Sequence, residues 1–489
     1  VNERVEIKQL RTGVRGLDEV LGGGLPELSF NLIAGGPGGG KTTLAHQMMF
    51  SLATPDQPAL YITILGEPPI KMLRYQQQYA FFDARKIGTA IRFLHLGSEM
   101  LDHGLEAVLA RIIHEVETTS PRFVFVDSFR AVVRKSAEPG QMELQSFVER
   151  LSLHLTGWEA TTFLIGEYEE READCNPIFT VADGIVWLSQ VAHRNSIVRK
   201  LQVVKTRGQG SIPGLHTVRI SDQGLRVYPR MPSPEPAMPQ PPGERVRRAT
   251  GVAGLDAMLG GGIPAGYSVL IVGPSGSGKT VLSTQFIREG IAAGERGVIA
   301  VFEKRADEYL TTAPGEPRLD ELVAAGALRM LYLRPLDLSV DETMEEIAGA
   351  VLAIGATRVV IDSLMGFELA LAPAFREEFR ESLYRLVGAL VGLGVTVLMT
   401  AELVESYTEL RLSPHGISFL SDGIILQRYV ELRGELRKLL MVVKLRGVDH
   451  SKELRLYEIG AQGIVVGEPL TEYERVLVGQ AAAAPARPS

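Results

Sequence analysis

The sequence predicts an α/β protein of two tandem domains, each a mostly parallel sheet flanked by helices. Three observations predict it. A long motif is written twice, TGVRGLDEVLGGGLP at 12–26 and TGVAGLDAMLGGGIP at 250–264. Each copy runs into a glycine-rich loop, and the lysines of the two loops, Lys41 and Lys279, stand 238 residues apart. Within each half, apolar β-rich runs alternate with helical patterns, and nearly continuous hydrophobicity marks strands buried on both faces of a parallel sheet.

The first elements of each half are a strand, a loop and a helix. Apolar runs at 30–34 and 268–272 supply the strands, and helical patterns at 44–52 and 282–292 supply the helices. Between them lie Gly35-Gly36-Pro37-Gly38-Gly39-Gly40-Lys41-Thr42-Thr43 and Gly273-Pro274-Ser275-Gly276-Ser277-Gly278-Lys279-Thr280-Val281. Both loops fit G-x-x-x-x-G-K-[ST], the phosphate-binding P-loop. Glycines let successive backbone N–H groups turn inward around phosphate oxygens, the helix N-terminus adds its positive dipole end, and the lysine adds a full charge. Thr42 and Thr280 can ligate Mg²⁺. A flexible glycine turn is the plain alternative, and two matches in register within a long repeat argue against it.

The next strands are expected at 59–64, 123–127, 162–165 and 184–188 in the first half, and at 297–302, 358–362, 396–400 and 423–426 in the second. Asp127 and Asp362 each end an apolar run and are followed by Ser128 and Ser363. An aspartate ending a strand is often a cap; standing 86 residues after Lys41 and 83 after Lys279, the two read instead as holders of the Mg²⁺ water shell. Glu303 ends another strand, where a carboxylate can face the γ-phosphate and accept a proton from water or a hydroxyl. The alternative for Glu303 is a surface acid paired with Lys304 or Arg305. The first half has Leu65-Gly66-Glu67 here, so its acid comes later and the two sites are chemically unequal.

Runs at 197–205 and 439–444, followed by 219–227 and 454–465, read as an antiparallel extension of each sheet. They carry the last matched pair, Lys205-Thr206-Arg207-Gly208 and Lys444-Leu445-Arg446-Gly447. Nothing in their own domain's motifs calls for these cations. Either they decorate a solvated edge, or they reach phosphates bound to a neighbouring subunit and supply transition-state charge there.

Composition sets the outer limits. The chain's 489 residues suffice for two large cores, and its net charge of −7 does not advertise binding to a phosphate backbone. Cys175, the single cysteine, cannot form an internal disulfide and fits a reducing cytosol. The first residues mix charges without an apolar core, so no secretory signal is expected. The uncharged stretch 386–401 is shorter than the ~20 residues a membrane helix needs and reads as a helix end, a glycine turn and a buried strand. Proline-rich residues 229–244 separate domains at 1–228 and 245–478, and 479–489 read as a mobile tail.

The repeated TG-x-x-GLD-x-x-LGGG-x-P motif, both P-loops, both Asp-Ser strand ends, the paired K-x-R-G elements and Gln427-Arg-Tyr-Val-Glu-Leu-Arg-Gly-Glu435 together resemble the KaiC family, a branch of the RecA-like ATPases. The resemblance runs from residue 12 to about 478. It implies two RecA-like P-loop domains per chain, stacked as two rings of a homohexamer with ATP and Mg²⁺ at subunit interfaces and regulatory protein partners. It also implies a slow ATPase in the first ring, and a second ring that phosphorylates serine and threonine near the interface. Residues 415–422 match the acceptor stretch. Ser418 falls on the serine, Phe419 replaces the threonine, and Ser421 is the fallback acceptor; a serine that merely satisfies a loop backbone group is the other reading. Of the family's adjacent glutamate pair, Glu303 matches the first and Lys304 replaces the second, while Leu65 and Gly66 occupy both positions in the first half. The competing classes are a RecA- or RadA-like DNA-stimulated ATPase, which needs a basic path the chain does not display, and a scaffold that uses ATP for assembly alone.

Overall fold

The computed structural model describes residues 7–64, 69–137, 144–172, 176–193, 196–230, 246–303, 309–310, 315–333, 339–371, 379–403, 420–471, 473–474 and 482–483. The chain divides into two compact units, Val1–Arg230 and Met231–Ser489.

In the first unit the principal elements are β1 (Phe30–Gly35), α1 (Lys41–Leu52), β2 (Ala59–Thr63), β3 (Ile91–His95), α2 (Gly97–Thr119), β4 (Phe123–Asp127), α3 (Leu144–Gly157), β5 (Thr161–Ile165), β6 (Gly184–His193), β7 (Ser196–Thr206), β8 (His216–Ser221) and β9 (Gly224–Tyr228). The nine strands form one sheet in the order β3-β2-β4-β5-β1-β6-β7-β8-β9. From β3 to β6 the pairing is parallel, and from β6 to β9 it is antiparallel.

Successive strand residues point to opposite faces, which is why these runs are apolar throughout. Leu32, Ile62, Val124, Val126 and Leu164 pack beneath α2 and α3, whereas Ile33, Tyr61, Phe123, Phe125 and Phe163 pack against α1.

The second unit repeats the plan with β10 (Ser268–Gly273), α4 (Lys279–Ala292), β11 (Gly297–Val301), β12 (Leu328–Tyr332), α5 (Val340–Ile354), β13 (Arg358–Asp362), α6 (Phe379–Gly392), β14 (Thr396–Glu402), β15 (Gly423–Leu432), β16 (Glu435–Leu445), β17 (Arg455–Gly460) and β18 (Gly463–Pro469). Its strand order, β12-β11-β13-β14-β10-β15-β16-β17-β18, matches the first sheet strand for strand. Two sheets of this order flanked by helices are tandem RecA-like domains.

The stretches 219–227 and 454–465 each hold two strands of the antiparallel extension. In the first, β8 and β9 pair across a tight turn at Asp222-Gln223; in the second, β17 and β18 pair with Gly460 opposite Gly463. The sheets also extend at their parallel edge by β3 and β12, which the sequence reading lacked. Both edge strands are half-exposed in the same pattern, so the continuous apolar signal of a central strand is absent from them. The stretch 386–401 divides as expected into the end of α6, a turn at Gly394 with φ +78°, and β14. Among the described residues no helix is long and apolar enough to cross a membrane.

Candidate active sites

Each P-loop joins the central strand of its sheet to the buried helix behind it. Gly40 and Gly278 stand at the N-termini of α1 and α4 with φ of +100° and +101°, a region that disfavours side chains. A Cβ there would also meet Ile220 Cδ1 at 2.8 Å or Ile459 Cδ1 at 2.6 Å. Those isoleucines lie on β8 and β17, so the antiparallel extension closes one wall of each cleft. The extension also holds the loops by hydrogen bonds. Arg199 Nε donates to Gly38 O at 3.1 Å, Ser277 Oγ donates to Gln427 Oε1 at 3.1 Å, and Tyr457 OH donates to Ser277 O.

The repeated motif ahead of each loop does not line either cleft. Asp18 Oδ1 accepts from Thr12 N at 2.8 Å and Thr12 Oγ1 at 2.7 Å, and Asp256 Oδ1 accepts from Thr250 N at 2.7 Å. The threonine and aspartate that recur in both copies therefore tie a turn together.

The first cleft is lined by Gly38, Gly40, Lys41, Thr42, Thr43, Asp127, Ser128, Gly166, Glu167 and Ile220. Gly36, Pro37 and Gly39 complete the loop around it, and Lys41 Nζ donates to Gly36 O at 2.7 Å. Thr42 Oγ1 donates to Asp127 Oδ2 at 3.0 Å, and the buried phenol of Tyr61 donates to the same oxygen at 2.8 Å. Burial lowers the Lys41 pKa, opposed by Glu167 first and Asp127 second; burial raises that of Asp127, opposed by its bonds to Tyr61 and Thr42.

The second cleft, about 310 Å³, is lined by Ser275, Gly276, Gly278, Lys279, Thr280, Val281, Glu303, Tyr309, Asp362, Ser363, Glu402 and neighbouring apolar residues. Lys279 Nζ donates to Gly273 O at 2.7 Å and to Pro274 O at 2.8 Å. Thr280 Oγ1 and Tyr309 OH donate to Asp362 Oδ2 at 2.9 and 3.0 Å, and Thr400 Oγ1 donates to Asp362 Oδ1. Ser363 Oγ donates to Glu303 Oε1 at 2.6 Å, so a described partner of Glu303 faces into the cleft; Lys304 and Arg305 lie outside the described residues. Burial lowers the Lys279 pKa, opposed by Glu402, Asp362 and Glu303 in that order.

The asymmetry between the sites has a register behind it. Thr63 pairs with Asp127 and Val301 pairs with Asp362, so two residues further on Leu65 stands in sequence where Glu303 stands. Residues 65–68 themselves lie outside the described residues. Two pairs of site residues escaped the sequence reading. Glu167 follows the end of β5 and Glu402 is the last residue of β14, both just past the stretches read as strands. Tyr61 lies on β2 whereas Tyr309 follows β11 in a later segment, so no comparison of the repeats could have paired them.

The four cations of the K-x-R-G elements have partners within their own domain, although none of its motifs calls for them. Arg207 Nη1 bonds Asp183 Oδ1 at 2.9 Å, and Lys205 Nζ donates to Thr180 O at 3.0 Å. Arg446 Nη1 lies 3.7 Å from Asp422 Oδ1, and Lys444 Nζ donates to Ser421 O at 2.6 Å. Asp183 and Asp422 have a structural reason to be there: their Oδ2 atoms accept from Phe30 N and Ser268 N at the starts of the two P-loop strands, each at 3.0 Å. Ser421 is 1 % exposed, and Ser418, Phe419 and Cys175 lie outside the described residues.

A phosphate cradle with its lysine, set beside a threonine–aspartate pair at the end of an adjoining strand, defines a P-loop nucleoside triphosphatase, and this chain contains two. A family model described as "ATPase: KaiC" matches residues 10–231 and again 248–471, and the chain belongs to that family of ATPases. It is similar to proteins named circadian clock oscillator protein KaiC from three organisms. Identity is 28 % over 490 residues with that of Rippkaea orientalis, spanning 97 % of this chain and 91 % of the relative. It is 26 % with those of Parathermosynechococcus lividus and Synechococcus elongatus, over 98 % of this chain and 90 % and 92 % of the relatives.

Proposed function

We propose that the chain is a hexameric, clock-type signalling ATPase that binds ATP in both clefts at subunit boundaries and transfers phosphate to its own Ser418 from the second. The observation that carries this reading is the duplicated cleft, each with a lysine, a hydroxyl–carboxylate pair and a loop whose glycines keep the backbone open. Thr42 with Asp127, and Thr280 with Asp362, are hard oxygen donors about 3 Å apart, the donor chemistry Mg²⁺ takes. When bound, that ion supplies charge neutralisation on the phosphates.

The protein's part is orientation and proton transfer. Lys41 and Lys279 bring positive charge to phosphate oxygens, the P-loop amides fix their position, and Glu303 takes the proton of an incoming hydroxyl. The Ser363 hydroxyl holds Glu303 toward the cleft. Lys205, Arg207, Lys444 and Arg446 act on the neighbouring subunit's phosphates. Arg207 and Arg446 have side chains 60 % and 54 % exposed, and an exposed ion pair holds a guanidinium weakly enough to be exchanged for a phosphate. Ser421 is the secondary acceptor, and its burial makes it the poorer one.

Phosphosite mapping by mass spectrometry after incubation with ATP and Mg²⁺ tests the kinase part. Phosphate on Ser418 that disappears in Glu303→Gln supports it. An ATPase-active protein without phosphate anywhere in 415–422 contradicts it.

A further inference from the structure

We propose that Glu167 is the general base of the first cleft, taking over for the strand-end carboxylate that Leu65 replaces. This rests on the reading that the first cleft binds ATP. Sequence comparison of the repeats leaves that cleft without a base, yet β5 delivers one from the other side of Asp127. Ile165, the last residue of β5, pairs in register with Asp127. The chain then continues along the P-loop strand, with Gly166 N donating to Ile33 O at 3.1 Å and Tyr168 N to Gly35 O at 3.3 Å. Glu167 is fixed between these two bonds, and it lines the cleft with Lys41, Thr42, Asp127 and Ser128. The second repeat has the same arrangement, with Glu402 directly in register with Gly273, the first residue of its P-loop.

Of the neighbouring acids in that segment, none lines the cleft, and two are paired elsewhere. Glu172 pairs with Arg130, and Glu169 pairs with Arg171 at 2.7 Å. Tyr168, 3 % exposed beneath the loop, packs edge-on against Phe179 and anchors the segment. Glu167 is exposed and, among the described residues, makes no ion pair or side-chain hydrogen bond, so its carboxylate oxygens are open to water. In the second cleft, by contrast, Glu303 is held by Ser363. A carboxylate with that freedom, beside the lysine of a phosphate cradle, has the chemistry of a base for an attacking water.

The step balances without any further reactant. The water oxygen forms a bond to the γ-phosphorus while the bond from phosphorus to the β,γ-bridging oxygen breaks. ADP departs with that electron pair. Glu167 takes the proton of the attacking water and releases it to solvent, leaving inorganic phosphate.

The test uses the full-length protein in a Lys279→Ala background, so that turnover reports the first cleft. Three quantities are measured: affinity for a fluorescent ATP analogue, phosphate release, and the ATP-to-ADP ratio of nucleotide recovered from the protein by acid extraction. The background protein should bind ATP and release phosphate slowly. Adding Glu167→Gln should leave affinity within about threefold, slow release by about 10²-fold or more, and shift the recovered nucleotide from ADP to ATP. Adding Glu67→Gln should change none of these. The proposal is overturned if Glu167→Gln turns over like its parent, if it loses affinity as much as rate, if Glu67→Gln has the larger effect, or if the background protein holds ATP without cleaving it. Failure of the background protein to bind the analogue would instead sink the prior reading of the cleft.

Discussion

At Asp362 three hydroxyls converge on one carboxylate, from Thr280, Tyr309 and Thr400. Tyr309 is fully buried, so its phenol has few alternatives to this bond. Removing it with Tyr309→Phe keeps the packing and leaves Thr280 as the one described donor to Asp362 Oδ2. Outer partners of metal ligands are typically worth 10–100-fold in metal affinity or activity. Tyr309→Phe should therefore raise the Mg²⁺ concentration for half-maximal ATPase activity by roughly tenfold, read from a Mg²⁺ titration at saturating ATP, and leave the melting temperature in apo protein nearly unchanged. Residues of this kind set the limit of what the sequence discloses. Lys41, Thr42, Asp127 and their second-repeat counterparts were legible because phosphate chemistry fixes their spacing from glycines and from one another. Glu167 and Glu402 were not, because one acid past the end of an apolar run has no spacing signature. Only the strand pairing reveals that it returns to the P-loop.

At the scale of an element, the P-loop helix α1 carries an ionisable group its phosphate role does not need. His46 is fully buried, with its ring 4.6 Å from that of Tyr61. Burial pushes its pKa down to about 4 from an ordinary 6.5, with the Gln76 side chain opposing only in part. The folded protein thus holds His46 neutral while the unfolded chain takes up a proton below pH 6.5, so stability is lost as pH falls from about 6.5 toward 4. The full loss is roughly 3 kcal/mol at the bottom of that window. Denaturant midpoints measured between pH 7 and 4.5 should fall more steeply in the natural chain than in His46→Gln. Equal slopes would assign the acid sensitivity to other groups. Elements themselves were legible in proportion to their burial. The six-strand parallel cores stood out except at β3 and β12, whose outward residues are wet. The β15–β16 hairpin turn shows the opposite case: Arg433 and Gly434, with φ of +54° and +80°, sit in the two-residue turn that joins paired residues Leu432 and Glu435. The sequence marked that segment by family resemblance, and the backbone supplies the physical reason for its glycine.

For the whole molecule, the central claim is that nucleotide in the first cleft holds subunits together while the second cleft performs phosphoryl transfer. Cations acting across a boundary can be recognised by complementation. Arg446→Ala chains mixed with Glu303→Ala chains should regain part of the lost activity where an intact half of each meets, and confirmed mixed assemblies with no recovery would assign Arg446 to its own domain's Asp422. A ligand that binds the assembled form favours assembly by mass action, so removing its lysine should remove the ring. Light scattering with and without ATP and Mg²⁺ tests this most directly. The expected result is a mass of six chains with ATP for the natural protein and for Lys279→Ala, and a smaller species for Lys41→Ala. A hexamer that persists in Lys41→Ala, or a mass that does not respond to ATP, would contradict the account.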